Sequence, residues 1–482
     1  MKKIRVDYEN EKVYIVEKDG EEKPVTIEEL TGDFFVDNLE LCFNWFKHEL
    51  FKRGYKGIAM SKNAGEKEFK ALKRRSNKYL IETRKFKIIS FANMYPRYAI
   101  TDAKTQYEIM EKLEEEGLQG CTIGSAVRHL WLYKEGGIKW VKGKRYNTKE
   151  FTAEMNYFVA ESLKGGLCLQ KEKGEYEVSD TITIDINHLY PWIACVKLLP
   201  YWTPKFISYD EFCKSVRYSI GIYMVDIHKM TIKPGKVAWF GTRTRHVEEL
   251  QYNDEVKPAM YYIWSYEFDA LLKDYDIDYD IYNVLAFQSI IGDFKPFIEK
   301  YEAKKENSEG IARQIYKNIN NNFLGKFATN NDVQDVEVEE GTFMQELNDS
   351  TEYYPALFSA VCAWGRTTLA TYINNYIKEP KKNFAYSDTD SITAKRGSFS
   401  RFLPLDDKKM GYFKIESENK GFRCFGAKKY CKLLKDGSSK SVISGCTKQV
   451  DYNDFVKGNI IEFKIWNTSG IIPVEVTKKF EL

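Results

Sequence analysis

The sequence predicts a mixed α/β fold, and three stretches carry that prediction. The first is Tyr386-Ser387-Asp388-Thr389-Asp390-Ser391, entered through Phe384-Ala385 and left through Ile392-Thr393-Ala394, which reads as strand, tight turn, strand. The second is the β-branched run Thr181-Ile182-Thr183-Ile184, a strand that delivers Asp185 at its end and is followed by Ile186-Asn187-His188-Leu189-Tyr190-Pro191. The third is a helix-like segment within 305–329, with Ser308 and Glu309 suited to the helix start and Gly325 to its end.

The acids give these elements a chemistry. Side chains two apart on an extended backbone leave on the same face, which crowds Asp388 against Asp390 and costs Coulomb energy unless a cation sits between them. Hard oxygen ligands without a nearby His or Cys suggest Mg²⁺, which takes one or two carboxylates plus substrate phosphates. An Asp-x-Asp turn alone is equally a solvated hairpin turn, and its company decides the matter. Arg313 and Lys317 lie four apart, hence on one helix face, and a triphosphate leaving group needs cations opposite the metals. The Asn-rich tail and Gly325-Lys326-Phe327 argue against a mere surface stripe.

Acid, then basic helix, then paired-acid hairpin resembles, in that order, motifs A, B and C of the family B DNA polymerases, and within them the protein-primed branch of small tailed bacteriophages. The resemblance runs from about Gly165 to the C-terminus. It implies a right-hand polymerase with palm, fingers and thumb plus an N-terminal exonuclease-like domain, making DNA by two-metal nucleotidyl transfer from a terminal protein. Asp185, Asp388, Asp390 and the carbonyl of Ile186 would hold two Mg²⁺ ions, with Mn²⁺ as a substitute. Tyr190 matches the steric gate against a 2′-hydroxyl; Lys305 and Lys317 would meet the triphosphate, with Arg313 and Asn321 beside them. Gly165-Gly166 matches the template clamp, and Lys428-Lys429-Tyr430 the Lys-x-Tyr motif that places Lys428 and Tyr430 at the primer terminus. Four positions depart from the pattern: Leu163 and Leu324 where Tyr is usual, His188 and Asn322 where Ser is usual.

The resemblance also divides the chain. Residues 1–150 resemble a reduced, inactive 3′–5′ exonuclease domain: Phe34 to Cys42, with Trp45 and Gly54, matches the second exonuclease motif, but Cys42 stands where a metal-binding Asp is expected, and a thiol is a poor Mg²⁺ ligand. Asp7-Tyr8-Glu9 and Tyr98 to Asp102 read as the other two motifs or as incidental. The stretch from Lys67 to Lys87, basic with interleaved aromatics, either tracks a phosphate backbone or is a solvated face, and a second basic cluster spans Lys139 to Lys149. Palm residues 151–196 lead into an insertion at 197–300 for docking the terminal protein. Fingers at 301–330, a shortened acidic insertion at 331–352, palm at 353–444 and thumb at 445–482, with a β-hairpin at 471–481, complete the expected order.

Composition agrees. A net charge of +3 says little about nucleic acid, because local patches matter more than the total. Nine cysteines without Cys-x-x-Cys spacing point to a reducing cytosol, here that of a bacterial host, rather than to structural zinc. The longest apolar run, Tyr353 to Trp364, is too short for a membrane span, and no secretory or transit segment opens the chain. Expected partners are template and primer DNA, deoxynucleoside triphosphates and a terminal protein, with no membrane. Rival readings are a reverse transcriptase or RNA polymerase, a non-catalytic DNA- or terminal-protein-binding relative, and a mobile-element polymerase that needs no protein primer. Asp-Thr-Asp in place of adjacent aspartates, and Lys317 on a helix far behind Asp185, speak against the first; the complete set of acids speaks against the second.

Overall fold

The computed structural model describes residues 2–7, 12–16, 22–26, 34–37, 127, 130–131, 135–137, 146, 148, 150–244, 247–328, 333–339, 342–347, 354–444, 446, 448–467 and 474–481. Cys42, Glu9, Tyr98, Asp102 and the basic residues 67–87 and 139–149 lie outside the described residues. Near the N-terminus, β1 (Lys2–Asp7), β2 (Lys12–Val16), β3 (Glu22–Val25) and β4 (Phe34–Asp37) form a sheet ordered β3-β2-β1-β4, with β4 parallel to β1.

The central layer begins with α1 (Ala153–Ser162), whose N-terminus is capped by Thr152 Oγ1 accepting from the Met155 amide at 3.2 Å, and continues through β5 (Cys168–Gln170), β6 (Tyr176–Ile186) and α2 (Leu189–Val196). Between 199 and 290 the chain builds a second, five-stranded antiparallel sheet from β7 (Leu199–Ile207), β8 (Ile220–Ile232), β11 (Glu255–Val256), β12 (Ala259–Trp264) and β13 (Tyr275–Ile290), with helices α3 (Tyr209–Lys214) and α4 (Ser265–Asp274) and a separate hairpin β9 (Gly241–Thr244)–β10 (Val247–Tyr252) between its strands. Its strand order is β11-β8-β13-β7, with β12 also paired to β8.

The helix expected to start at Ser308–Glu309 and end at Gly325 is α6 (Gly310–Gly325), which is preceded by a separate helix α5 (Lys295–Glu306) and followed by a 3₁₀ turn at Lys326–Ala328. Asn307 closes α5 by donating from Nδ2 to the Ala303 carbonyl at 2.8 Å, and Gly310 supplies a left-handed φ of 54° at the restart. Lys305 and Lys317 therefore stand on different helices.

The hairpin β14 (Val333–Glu339)–β15 (Thr342–Leu347) fills the acidic segment. Beyond it come α7 (Pro355–Tyr376), α8 (Pro380–Asn383), β16 (Phe384–Asp388), β17 (Ser391–Lys395), β18 (Phe413–Gly426), β19 (Lys429–Leu434) and β20 (Ser439–Ile443). These strands and β5 and β6 make the seven-stranded antiparallel sheet β20-β19-β18-β6-β17-β16-β5. The terminal hairpin is longer than expected: β21 (Ile460–Asn467) pairs with β22 (Val474–Glu481), Ile460 opposite Glu481, so the expected 471–481 span holds only its second strand.

Helix α7 is the axis of the core. It starts on Pro355, whose missing amide hydrogen costs nothing in a first turn, and it buries Leu357, Ala360, Val361, Ala363, Leu369 and Ile373 against α2, α4 and β7. Small residues along it let neighbours come close. An aromatic cluster of Trp131, Tyr146, Phe294, Phe323, Phe327 and Tyr354 locks the end of α6 to the core, with ring centroids 5.2–6.0 Å apart in tilted and edge-on pairs. Among the described residues no helix is long and apolar enough to cross a membrane.

One charge pair is sunk in this core. Arg366 of α7 meets Glu267 of α4 through Nε and Nη2 at 2.8 and 3.0 Å, and both side chains are almost fully buried. Removing one partner strands the other charge, at a cost of about 3–5 kcal/mol, whereas replacing both with apolar residues of similar volume costs far less. Glu267→Ala should accordingly lower the unfolding midpoint sharply, and Glu267→Leu combined with Arg366→Met should recover most of the loss. Thermal or urea unfolding of the variants reads both outcomes.

Candidate active site

Asp388 closes β16 and Ser391 opens β17 as directly opposed residues, leaving Thr389 and Asp390 as the whole turn. Asp390 is therefore in the turn and not two residues along a strand from Asp388, so the alternation expected from the sequence is not what brings the two together. The turn is held from both flanks: the Thr389 amide donates to Leu167 O at 2.8 Å, and the Ile186 amide donates to Asp390 O at 2.8 Å. Thr389 pays a conformational strain, with φ at 64° for a β-branched residue. Cross-strand register does the rest: Asp185 lies opposite Ser391 on one side and Lys414 on the other, and Asp388 lies opposite Cys168. All three acids thus end at one edge of the seven-stranded sheet.

They repel one another there. Burial, then the Asp185 and Asp388 carboxylates, push Asp390 up to about 7. Burial also raises Asp185, against the pull of Lys414. Two lysines neutralise part of the charge, Lys414 Nζ at 2.9 Å from Asp185 Oδ1 and Lys428 Nζ at 3.4 Å from Asp388 Oδ1. Among the described residues no three His, Cys, Asp or Glu side chains converge tightly enough to cage an ion unaided. A donor set of this kind, oxygen-only and short of ligands, still fits Mg²⁺, which draws the remainder of its shell from water and substrate phosphates.

The loop after Asp185 is fastened to the strand-18 approach. The Asn187 amide donates to Tyr412 O at 2.9 Å, the Gly411 amide to Asn187 O at 2.8 Å, and Asn187 Nδ2 to Asp406 O at 2.8 Å. Trp192 lies so close over Gly411 that a Cβ there would come within 2.3 Å of the indole. Tyr190, on the first turn of α2, is wedged between two glycines. A Cβ at Gly166 would meet its hydroxyl at 2.7 Å, and one at Gly365 would meet its ring at 2.9 Å. Gly166 also abuts Thr389, so Gly166, Tyr190 and the acid turn touch. The segment before Gly166 is fixed by Arg366, whose Nη1 donates to the carbonyls of Lys164 and Gly165 at 2.6 and 3.0 Å.

The basic residues divide. Lys317 and Arg313 are exposed on α6, and the Lys317 charge acts on both Asp185 and His188. Asn321 is exposed one turn further along. Lys305, by contrast, is buried: it pairs with Glu302, lies 3.2 Å from Glu306 and 2.6 Å from His188 Nε2. His188 caps α2 with a left-handed φ of 52°, and burial, with Lys305, Lys317 and Lys414 around it, lowers it to about 4 against the opposing pull of Glu302. Lys428 is half-exposed, but Tyr430 is buried against Tyr386 and Phe422, with ring centroids at 4.8 and 5.5 Å. Leu324 is buried in the core, and Asn322 turns back on its own helix, donating to Asn318 O at 2.9 Å. Three left-handed non-glycine residues, His188, Thr389 and Lys428, gather around this edge. The sequence reading missed Lys414, Glu302 and the Glu267–Arg366 pair: Lys414 meets Asp185 and Glu267 meets Arg366 across long sequence separations, and Glu302, which also pairs with Lys305 three residues on, reaches His188 across another.

Sheet, helices and acid edge together define a right-hand polymerase fold. The family model for DNA polymerase type B, organellar and viral, matches residues 90–406, and the chain belongs to that family. Among curated relatives, the DNA polymerase of Bacillus phage Nf is 25% identical over 307 residues, covering 60% of this chain and 52% of the relative. That of Bacillus phage phi29 is 28% identical over 271 residues, covering 53% and 46%. The chain thus spans about half the length of the curated relatives it matches. In fold it is similar to phi29 DNA polymerase complexed with primer-template DNA and incoming nucleotide substrates, with a TM-score of 0.71 and 19% identity over 100% of this chain and 99% of that one.

The raised Asp390 has a measurable consequence. A carboxyl held at about 7 in the folded protein and near 4 unfolded contributes relative stability that is full below pH 4 and lost as the pH rises through 7. In EDTA the protein should lose stability over that window by an amount on the order of a few kcal/mol, and Asp390→Asn should remove most of the slope. Urea unfolding at a series of pH values measures it; identical slopes in the two proteins would contradict the crowding.

Proposed function

We propose that this chain catalyses template-directed DNA synthesis, adding deoxynucleotides to a primer 3′-hydroxyl. The observation that carries the reading is the convergence of Asp185, Asp388 and Asp390 at one sheet edge, with Tyr190 and Gly166 against the same turn. Asp185, Asp388, Asp390 and the Ile186 carbonyl would hold two Mg²⁺ ions, or Mn²⁺ in their place; when bound, the ions supply Lewis-acid activation of the hydroxyl and charge neutralisation at the phosphates. Likeness to a polymerase whose structure was solved with primer-template DNA and incoming nucleotides supports DNA and deoxynucleoside triphosphates as the ligands.

The protein's own groups then divide the work. In the reaction the primer oxygen bonds to the α-phosphorus, and the bond to the departing pyrophosphate breaks. Lys317 and Arg313, exposed on one face of α6, offer cations to that leaving group, with Asn321 alongside. Lys305 joins them on release from Glu302. Tyr190, immobilised by Gly166 and Gly365, forms a floor under the sugar that leaves no room for a 2′-hydroxyl. Gly165 and Gly166, anchored by Arg366, present backbone to the template, and Lys428 offers its charge to the primer terminus. Tyr430 supports that end by packing behind Tyr386.

The domain roles follow the family pattern. Residues 301–330 act as fingers, 445–482 as thumb, 331–352 as a shortened second insertion, and the sheet within 197–300 as the surface that docks a terminal protein for initiation. Such an enzyme works in the cytoplasm of an infected bacterium. Residues 1–150, with Cys42 at a metal-ligand position, lack proofreading.

Asp185→Asn and Asp390→Asn should each reduce primer extension by roughly 10³-fold or more while retaining primer-template binding in a gel-shift assay; near-normal extension by either removes the site. Tyr190→Val should raise ribonucleotide over deoxynucleotide insertion by about tenfold or more, measured as a ratio of kcat/KM values. A mispaired 3′ end incubated with Mg²⁺ and no nucleotide should remain intact. Shortening that persists in Asp185→Asn and vanishes in Asp102→Ala would establish a working exonuclease.

A further inference from the structure

Asp185, the acid on which both expected ions depend, already has a cation beside it. Lys414 Nζ stands 2.9 Å from Asp185 Oδ1. Backbone register puts it there, because Lys414 is the residue of β18 directly opposite Asp185 of β6. Immediately afterwards the ladder slips between Ile415 and Ser417, a bulge of the kind that re-aims side chains beside active sites. The re-aimed residue, Glu416, takes Lys432 at 3.1 Å and Lys440 at 2.6 Å. Glu416 is thereby satisfied by two other lysines, and Lys414 is left to Asp185.

We propose that Lys414 is a resident counter-cation of the acid edge, which competes with the divalent ion for Asp185 and makes tight ion uptake depend on the incoming triphosphate. The inference rests on the metal-binding reading of Asp185 given above. Three observations support it. The pair is close enough to occupy the Asp185 oxygen that faces it, yet the Lys414 side chain is 41% exposed and that of Asp185 20%, so the contact is reversible at small cost. A lysine ammonium is a point charge on a flexible stem and can swing away, as a bidentate arginine could not. Finally, the protein's own donors are too few to cage an ion among the described residues, so the phosphates must supply ligands as the lysine leaves. Lys414 is a positioning residue: it acts on the ion through Asp185 and does not itself touch the reacting atoms.

The test uses the full chain without DNA or nucleotide and follows Mn²⁺ by the electron paramagnetic resonance signal of the free aqua ion. Lys414→Ala and Lys414→Met should bind Mn²⁺ about fivefold more tightly than wild type, and Lys414→Arg, which holds the carboxylate in a fixed fork, should bind it no more tightly than wild type. In EDTA the Ala and Met variants should unfold at lower temperature than wild type, and added Mn²⁺ should close the gap. Unchanged Mn²⁺ affinity in both variants, with binding lost in Asp185→Asn, would overturn the role of Lys414 and leave the metal reading standing. Mn²⁺ binding by Asp185→Asn equal to wild type would overturn both.

Discussion

Like-charge repulsion among three carboxylates is the constraint on which this molecule is built. Asp185, Asp388 and Asp390 gain nothing from each other in a half-buried setting, and Asp390 shows the cost by being held near neutrality. A chain bears such a cost only where surrounding structure over-determines the geometry. Here it does: Thr389 is forced into a left-handed turn, its amide donates to the Leu167 carbonyl and the Ile186 amide donates to the Asp390 carbonyl, so that neither acid-bearing segment can relax away.

The rest of the fold is the support for that edge. The seven-stranded sheet sets which residues face one another, α7 presses Gly365 against Tyr190, and the buried Glu267–Arg366 pair reaches through the core to hold the Lys164 and Gly165 carbonyls. Its guanidinium is spent on two tasks at once, satisfying Glu267 and pinning a glycine loop that has no side chain of its own to anchor. Rigid backbone on one side of the edge contrasts with mobile charge on the other, where Lys317, Arg313, Lys414 and Lys428 are exposed enough to exchange partners when an anion arrives.

Much of this was legible in the sequence because it is local. A β-branched run ending in an acid announced β6, apolar runs flanking the paired acids announced the β16–β17 hairpin, and Gly325 marked the end of α6 to the residue. What stayed hidden depends on register or on distant partners. Asn307 closes α5 and Gly310 opens α6, and what stayed hidden is that Lys305 sits on the preceding helix in the company of Glu302 and of His188, 117 residues away. Glu267 and Arg366 are 99 residues apart, and neither carries a local sign of being buried. Tyr430 belongs to a three-residue motif expected at the primer terminus, and its ring is packed onto Phe422 and Tyr386. Residues two apart were also expected to share a face at Asp388 and Asp390, and the two-residue turn achieves the crowding by another route.

The central claim is that this acid edge is a metal-dependent nucleotidyl-transfer centre. Crystals of the protein with primer-template DNA, a non-hydrolysable deoxynucleotide and Mn²⁺ test it most directly through anomalous scattering. The account expects Mn²⁺ peaks among the carboxylates of Asp185, Asp388 and Asp390, with triphosphate oxygens completing the coordination and the Lys414–Asp185 contact opened. Nucleotide bound elsewhere, or bound here with no ion on Asp185 or Asp390, would contradict it.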